Sequence, residues 1–168
     1  MNWKRIKTLA ETMPFYFYVP IAYLFIVIVG IPLEYFSSLL NIPDKEISSQ
    51  LIPDNFLLKM FLVVIFAPVL ETFLTQALPF HFLSLFKFMN RNKWLMILIS
   101  GAIFGSVHVF SLQHIIYATT IGFFLMATYI LRSKKGDSFL CTFSLHAFFN
   151  LVAILLSQFS WTTPHSYC

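Results

Sequence analysis

A chain of 168 residues that is 58% hydrophobic and 11% charged, with a mean hydropathy of +0.79, carries too little charge to cover a water-exposed surface. Soluble domains draw about a quarter of their residues from Asp, Glu, Lys and Arg. The formal charge of +4 does not point to nucleic acid either, because the basic residues fall in short clusters between apolar runs, with no zinc knuckle, phosphate-binding loop or dinucleotide fingerprint.

The composition predicts an all-α, polytopic transmembrane helix bundle, residues 1–168 forming one integral membrane domain with the lipid bilayer as its first partner. The opening MNWKRIK resembles the charged region of a signal peptide, but the apolar stretch after it is longer than a signal core and lacks a small-residue cleavage site. It reads as a retained first helix.

A membrane-spanning helix needs about 20 apolar residues. Five runs meet or approach that length: Phe15 to Ile31, Phe56 to Phe80, Trp94 to Phe110, Ile115 to Leu131 and Phe139 to Phe159. Between the first two, the polar, acidic stretch from Glu34 to Asn55 reads as an external loop. The segment HFLSLFKFMNRNK, aromatic and basic, reads as interfacial. Only SLQH separates the third and fourth runs, which makes them an antiparallel or partly re-entrant pair.

Basic residues then orient the bundle. Lys4, Arg5 and Lys7, then Lys87, Arg91 and Lys93, then Arg132, Lys134 and Lys135 all fall on one side of a five-span chain, with Glu34, Asp44, Glu46 and Asp54 on the other. The positive-inside rule gives a multi-pass protein of the cell membrane with a cytoplasmic N-terminus and an external C-terminus.

A few polar residues interrupt the apolar runs. Glu71 lies in LLKMFLVVIFAPVLETFLTQALPF, His108 in IFGSVHVF, and His146 with Asn150 in FSLHAFFNLVAILL. An ionisable group inside a membrane segment is costly and marks a functional site by default. Helical spacing pairs Glu71 with Thr75, Thr72 with Gln76, Phe104 with His108, and His146 with Asn150. Pro68 and Pro79 flank Glu71 and should kink its helix, leaving carbonyls for side chains or water to satisfy. Gly101 and Gly105 would let a neighbouring helix come close.

Structural readings compete with functional ones. Glu71 could be a protonated acid gluing helices together, and His146 with Asn150 a packing network. Jointly, a carboxylate and an imidazole can activate water, while His and Asn donors can stabilise an oxyanion. His114 reads as interfacial and solvated; His81 and His165 receive no role, and Cys141 and Cys168 show no disulfide or metal spacing. Glu71, His108 and His146 are also the ligand types of a catalytic zinc site. With no HExxH pattern and no two ligands on one helix, no cofactor is favoured, zinc being the candidate if a metal is bound.

On APVLETFLTQ, FGSVH and HAFFN the chain, over about residues 56–160, resembles the CAAX protease and bacteriocin-processing family of intramembrane proteases, also called the type II CAAX prenyl endopeptidase or Abi family. That family carries Glu-Glu followed three residues later by Arg, then Phe-x-x-x-His, then His-x-x-x-Asn or Asp, on separate membrane helices. The Ala-Pro before the first motif and the glycine after Phe104 are also family-like. The resemblance implies an endopeptidase of membrane-associated peptides or proteins, in which Glu71 with His108 activates water and His146 with Asn150 stabilises the oxyanion, with Phe104 supporting. Thr72 and Gln76 depart from the family's second Glu and its Arg, so they are expected to form a neutral hydrogen-bonded substitute, to each other or to their helix. An inactive bacteriocin-immunity or membrane interaction protein, or a small proton-coupled transporter, is the alternative.

Helix arithmetic poses one difficulty. At about 1.5 Å per residue, Glu71 lies ~20 Å below the external start of its run and His108 ~20 Å from the cytoplasmic start of its own, while His146 is only ~10 Å from the start of the last. Convergence of the three is nevertheless expected, and separate sites would defeat the proteolytic reading.

Overall fold

The computed structural model describes residues 3–39, 55–108 and 111–160, and every element among them is helical. The loop carrying Asp44, Glu46 and Asp54, and the terminal His165 and Cys168, lie outside the described residues.

Helix α1 (Trp3–Thr12) is short and amphipathic, and it stops where Pro14 forbids continuation. Helix α2 (Phe15–Leu39) follows at once. Helix α3 (Phe56–Ser84) is continuous, begins at an Asn55 cap, and contains two widened π-helical stretches, Phe61–Phe66 and Phe73–Ala77. A five-residue helix α4 (Lys87–Arg91) leads into α5 (Lys93–Ser106). Helices α6 (Leu112–Arg132) and α7 (Ser138–Ser160) complete the described chain.

Four of these, α2, α3, α6 and α7, are long and apolar enough to cross a membrane. Helix α5 is shorter than the run that predicted it: it ends at Ser106, giving ~21 Å of helix against a hydrocarbon core of ~30 Å. Hydropathy continues through Val107 and beyond, but Ser111 starts the next helix by accepting the His114 N–H at 3.1 Å. The molecule is a membrane helix bundle, with Leu57, Phe61, Phe66, Phe73 and many other large apolar side chains exposed where lipid replaces water.

Three apolar clusters hold the bundle. Val19, Ile26, Phe104, Ala118, Ile121, Leu125 and Leu145 join α2, α5, α6 and α7. Ala77, Leu83, Met96, Met126 and Tyr129 join α3, α5 and α6, and Val64, Ala147 and Ile154 join α3 to α7. Helices α5 and α6 approach backbone to backbone. A Cβ added to Gly101 would meet the Phe123 ring at 2.1 Å, one on Gly105 would meet Thr119 Oγ1 at 1.9 Å, and one on Gly122 would lie 2.9 Å from Gly101 Cα. The expected close approach at Gly101 and Gly105 is therefore present, with Gly122 as its counterpart.

The α6–α7 corner is built around a charge. Arg132, fully buried, pairs with Asp137 and donates from its guanidinium to the Ala10 and Met13 carbonyls at 3.0 and 2.8 Å. Those carbonyls are left over where α1 ends, so the arginine fastens the α1–α2 junction to the corner. Gly136, with φ +81°, makes the left-handed turn that brings Asp137 back.

Candidate active site

The prolines of α3 make the frame. Each π-helical stretch ends just before one: Ala67 N–H donates to Leu62 and Leu78 N–H to Phe73, five residues back. Pro68 and Pro79 have no N–H to continue these ladders. In the five-residue register Pro68 would have served Val63, and in the α register Pro79 would have served Thr75. Neighbouring helices supply the missing donors: Asn150 Nδ2 donates to the Val63 carbonyl at 2.9 Å, and the Ser100 hydroxyl donates to the Thr75 carbonyl. The proline effect thus takes the form of widened turns in an unbroken helix, with the freed carbonyls satisfied by side chains. Thr75 in turn donates its hydroxyl to the Glu71 carbonyl at 2.8 Å, so the backbone under Glu71 is held from α5 through Thr75.

Glu71 projects from this frame toward both histidines. Its Oε2 lies 3.5 Å from His146 Nε2 on α7 and 3.9 Å from His108 Nε2, just beyond the end of α5. The structure brings the three together, and the depth difficulty dissolves in the helix lengths. Helix α3 runs past Phe80 to Ser84 and α5 begins only at Lys93, so Glu71 and His108 each stand ~20 Å from the shared 85–92 connection. His146 is closer to the start of α7, and that corner is the one covered by α1 through Arg132.

The His108 ring is set by its own helix end. The His108 backbone N–H donates to the Gly105 carbonyl at 3.0 Å, and the ring Nδ1 lies 2.7 Å from the Phe104 carbonyl. A carbonyl only accepts, so Nδ1 carries the proton; in the neutral ring Nε2 then offers its lone pair toward Glu71. Phe104 lies between the two imidazoles, stacked on His108 at 4.6 Å between centroids and edge-on to His146 at 5.3 Å. Gly122 makes that position possible, since a Cβ there would come within 2.7 Å of Phe104 Cβ.

Access is uneven across the triad. The side chains of Glu71 and His108 are 28% and 20% exposed, whereas that of His146 is 4% exposed. Both carboxylate–imidazole separations exceed a direct hydrogen bond. They suit groups that act jointly on a third species entering from the Glu71 and His108 side, with His146 as the buried wall. Among the described residues no group of three or more His, Cys, Asp or Glu is arranged to hold a metal ion; Glu71, His108 and His146 are the nearest approach to one.

Other expectations change. Thr72 and Gln76 are fully buried, but the Thr72 hydroxyl and both polar atoms of the Gln76 amide have no hydrogen-bond partner among the described residues, so the expected neutral pair is not made. Thr75, not Gln76, supports the helix at this level, because a hydroxyl four residues along reaches its own helix carbonyl. Asn150, expected to face an oxyanion, spends one amide hydrogen on α3 and keeps a second. His114, read as solvated, lies against His108 with centroids 5.9 Å apart, because the Ser111 cap turns it back toward the site.

Ser100 and Thr142 were not singled out by sequence, although each is a fully buried hydroxyl one helical turn before a motif residue, Phe104 and His146. That spacing was the available signal.

Residues 53–152 match the family model described as type II CAAX prenyl endopeptidase Rce1-like. No curated protein and no solved structure matches the chain. The matched segment spans well over half of the sequence and includes Glu71, Phe104, His108, His146 and Asn150, and the chain belongs to the Rce1-like family of type II CAAX prenyl endopeptidases.

Proposed function

We propose that this protein is an intramembrane endopeptidase that hydrolyses a peptide bond of a membrane-associated peptide or protein with water activated by Glu71 and His108. The observation that carries the reading is the approach of Glu71 Oε2 to His108 Nε2 and His146 Nε2, at 3.9 and 3.5 Å, from three separate helices. Water held between the carboxylate and the bare Nε2 of His108 gives its proton to one of them as its oxygen attacks the carbonyl carbon. The carbonyl oxygen, now an anion, is met by the His146 Nε2–H and by the second Asn150 amide hydrogen. The proton then passes to the leaving amine, and the bond opens to an acid and an amine. The reading is metal-free; zinc on Glu71, His108 and His146 is its rival.

We also assign the protein to the cell membrane, with its N-terminus cytoplasmic and C-terminus external. Two of the three basic clusters meet at one end of the bundle, where Lys134 lies 3.6 Å from Glu11 and Lys135 donates to the Met13 carbonyl at 3.0 Å.

The test is cleavage of a membrane-peptide library by detergent-purified protein, with and without a chelator. Glu71→Gln keeps shape but loses proton acceptance, so turnover should fall by about 10²–10⁴-fold with thermal unfolding unchanged. Cleavage at the wild-type rate by the variant would remove the mechanism, and loss of wild-type activity on chelation would replace it with the zinc reading.

A further inference from the structure

Away from Glu71, a groove of about 420 Å³ lies between α1, α2 and α6. Its walls include Ala10 on α1, Ala22 and Phe25 on α2, and Phe124 and Ala127 on α6, with Lys7 at the α1 end. The volume falls within the ~300–1,000 Å³ of ligand sites. Two hydroxyls line it, those of Tyr18 and Thr128, both on buried residues, and Tyr18 donates to Thr128 at 3.2 Å. The interior therefore suits a hydrocarbon chain.

At one end of the groove Arg132 fastens the α1–α2 junction to the end of α6 through the Ala10 and Met13 carbonyls. That same end is positively charged. Lys7 and Lys134 share the single carboxylate of Glu11, at 3.9 and 3.6 Å, Lys135 donates to a carbonyl, and Asp137 is taken by Arg132. The Lys7 and Lys134 side chains are 47% and 73% exposed, so their unneutralised charge faces outward. A basic cluster over an apolar slot matches a negatively charged headgroup over its acyl chain.

We propose that this groove is a binding site for an anionic glycerophospholipid from the leaflet on the N-terminal side, with an acyl chain between α2 and α6 and the phosphate over Lys7, Lys134 and Lys135. The site is separate from the Glu71 cluster and does not depend on the protease reading.

Native mass spectrometry of the full-length protein in detergent, titrated with phosphatidylglycerol and with phosphatidylcholine of the same chains, tests it. The wild type should retain phosphatidylglycerol preferentially. Each of Lys7→Gln and Lys134→Gln, at exposed positions, should weaken retention by about fivefold, at ~1 kcal/mol per cation. Ala127→Trp and Ala22→Trp fill the slot from opposite walls, and either one, if it unfolds at the wild-type temperature, should abolish retention. Equal retention of the two lipids, or undiminished retention by the lysine variants, would overturn the proposal. So would retention by a folded tryptophan variant.

Discussion

Asn150 on α7 donates its side-chain amide to the backbone carbonyl of Val63 on α3, at 2.9 Å. The carbonyl is free because Pro68, five residues on, has no N–H, and Asn150 stands one helical turn after His146, which approaches Glu71. Asn150 therefore splints the helix that carries the carboxylate.

Asn150→Ala should destabilise the protein by about 1–3 kcal/mol, the cost of leaving the Val63 carbonyl without a partner. Cleavage should fall by roughly 10²–10³-fold, as when one oxyanion donor is removed. Thermal unfolding in detergent reads the first effect and initial rates the second; an unchanged melting temperature would end the splint assignment.

Ser100 has the matching role at Pro79. Ser100→Ala leaves the Thr75 carbonyl unbound, and Thr75 holds the carbonyl of Glu71 at 2.8 Å. Because the variant shifts the carboxylate without touching a substrate surface, kcat should drop between about 10- and 10²-fold while KM stays near wild type. A rise in KM at constant kcat would contradict it.

Glycines at two places should respond differently. Gly122→Ala drives a Cβ to 2.7 Å from Phe104 Cβ and so into the side chain that separates His108 from His146. Overpacking of this kind costs about 1–3 kcal/mol and should reduce cleavage as well. Gly136→Ala meets nothing within 4 Å but must adopt φ +81°, which costs about 1–2 kcal/mol and should leave cleavage per folded molecule intact. Paired melting and rate measurements on both variants separate the two effects.

Thr72 and Gln76, which the resemblance sets against the family's second Glu and its Arg, are fully buried and one turn apart. Thr72→Glu alone should destabilise strongly, by about 3–5 kcal/mol, since it buries a charge with no partner. Adding Gln76→Arg should recover at least ~1 kcal/mol of that loss through pairing. Strictly additive losses in a double-mutant cycle would mean that the two positions do not face each other.

Much of the site was legible because lipid makes polar residues conspicuous. Glu71, His108 and His146 could be picked out as interruptions of apolar runs, and the structure brings both histidines within 4 Å of one Glu71 carboxylate oxygen. Pro68 and Pro79 signalled free carbonyls, but the atoms that receive the replacement bonds belong to Val63 and Thr75 backbone, which carries no mark in a sequence. The length of α5 was overread because hydropathy does not register a helix end, whereas the Ser111 cap does. The nearness of His114 to His108, 5.9 Å between ring centroids, joins two helices and could not be read from the neighbours of either residue in the sequence. The Thr72–Gln76 pairing failed because shared helical spacing brings side chains near without requiring them to bond.

Arg132 gives the chain one more property. The family match starts at residue 53, after α1 and α2, yet this arginine lies inside the match and takes its carbonyl partners from Ala10 and Met13, outside it. Val19 and Ile26 of α2 likewise pack in the cluster that contains Phe104. Excising the N-terminal 52 residues would leave Arg132 paired with Asp137 but without its two carbonyl acceptors, and would strip one wall from the cluster around Phe104. The segment that matches the family model thus relies on the residues before it for two partners of Arg132 and for part of the packing around Phe104.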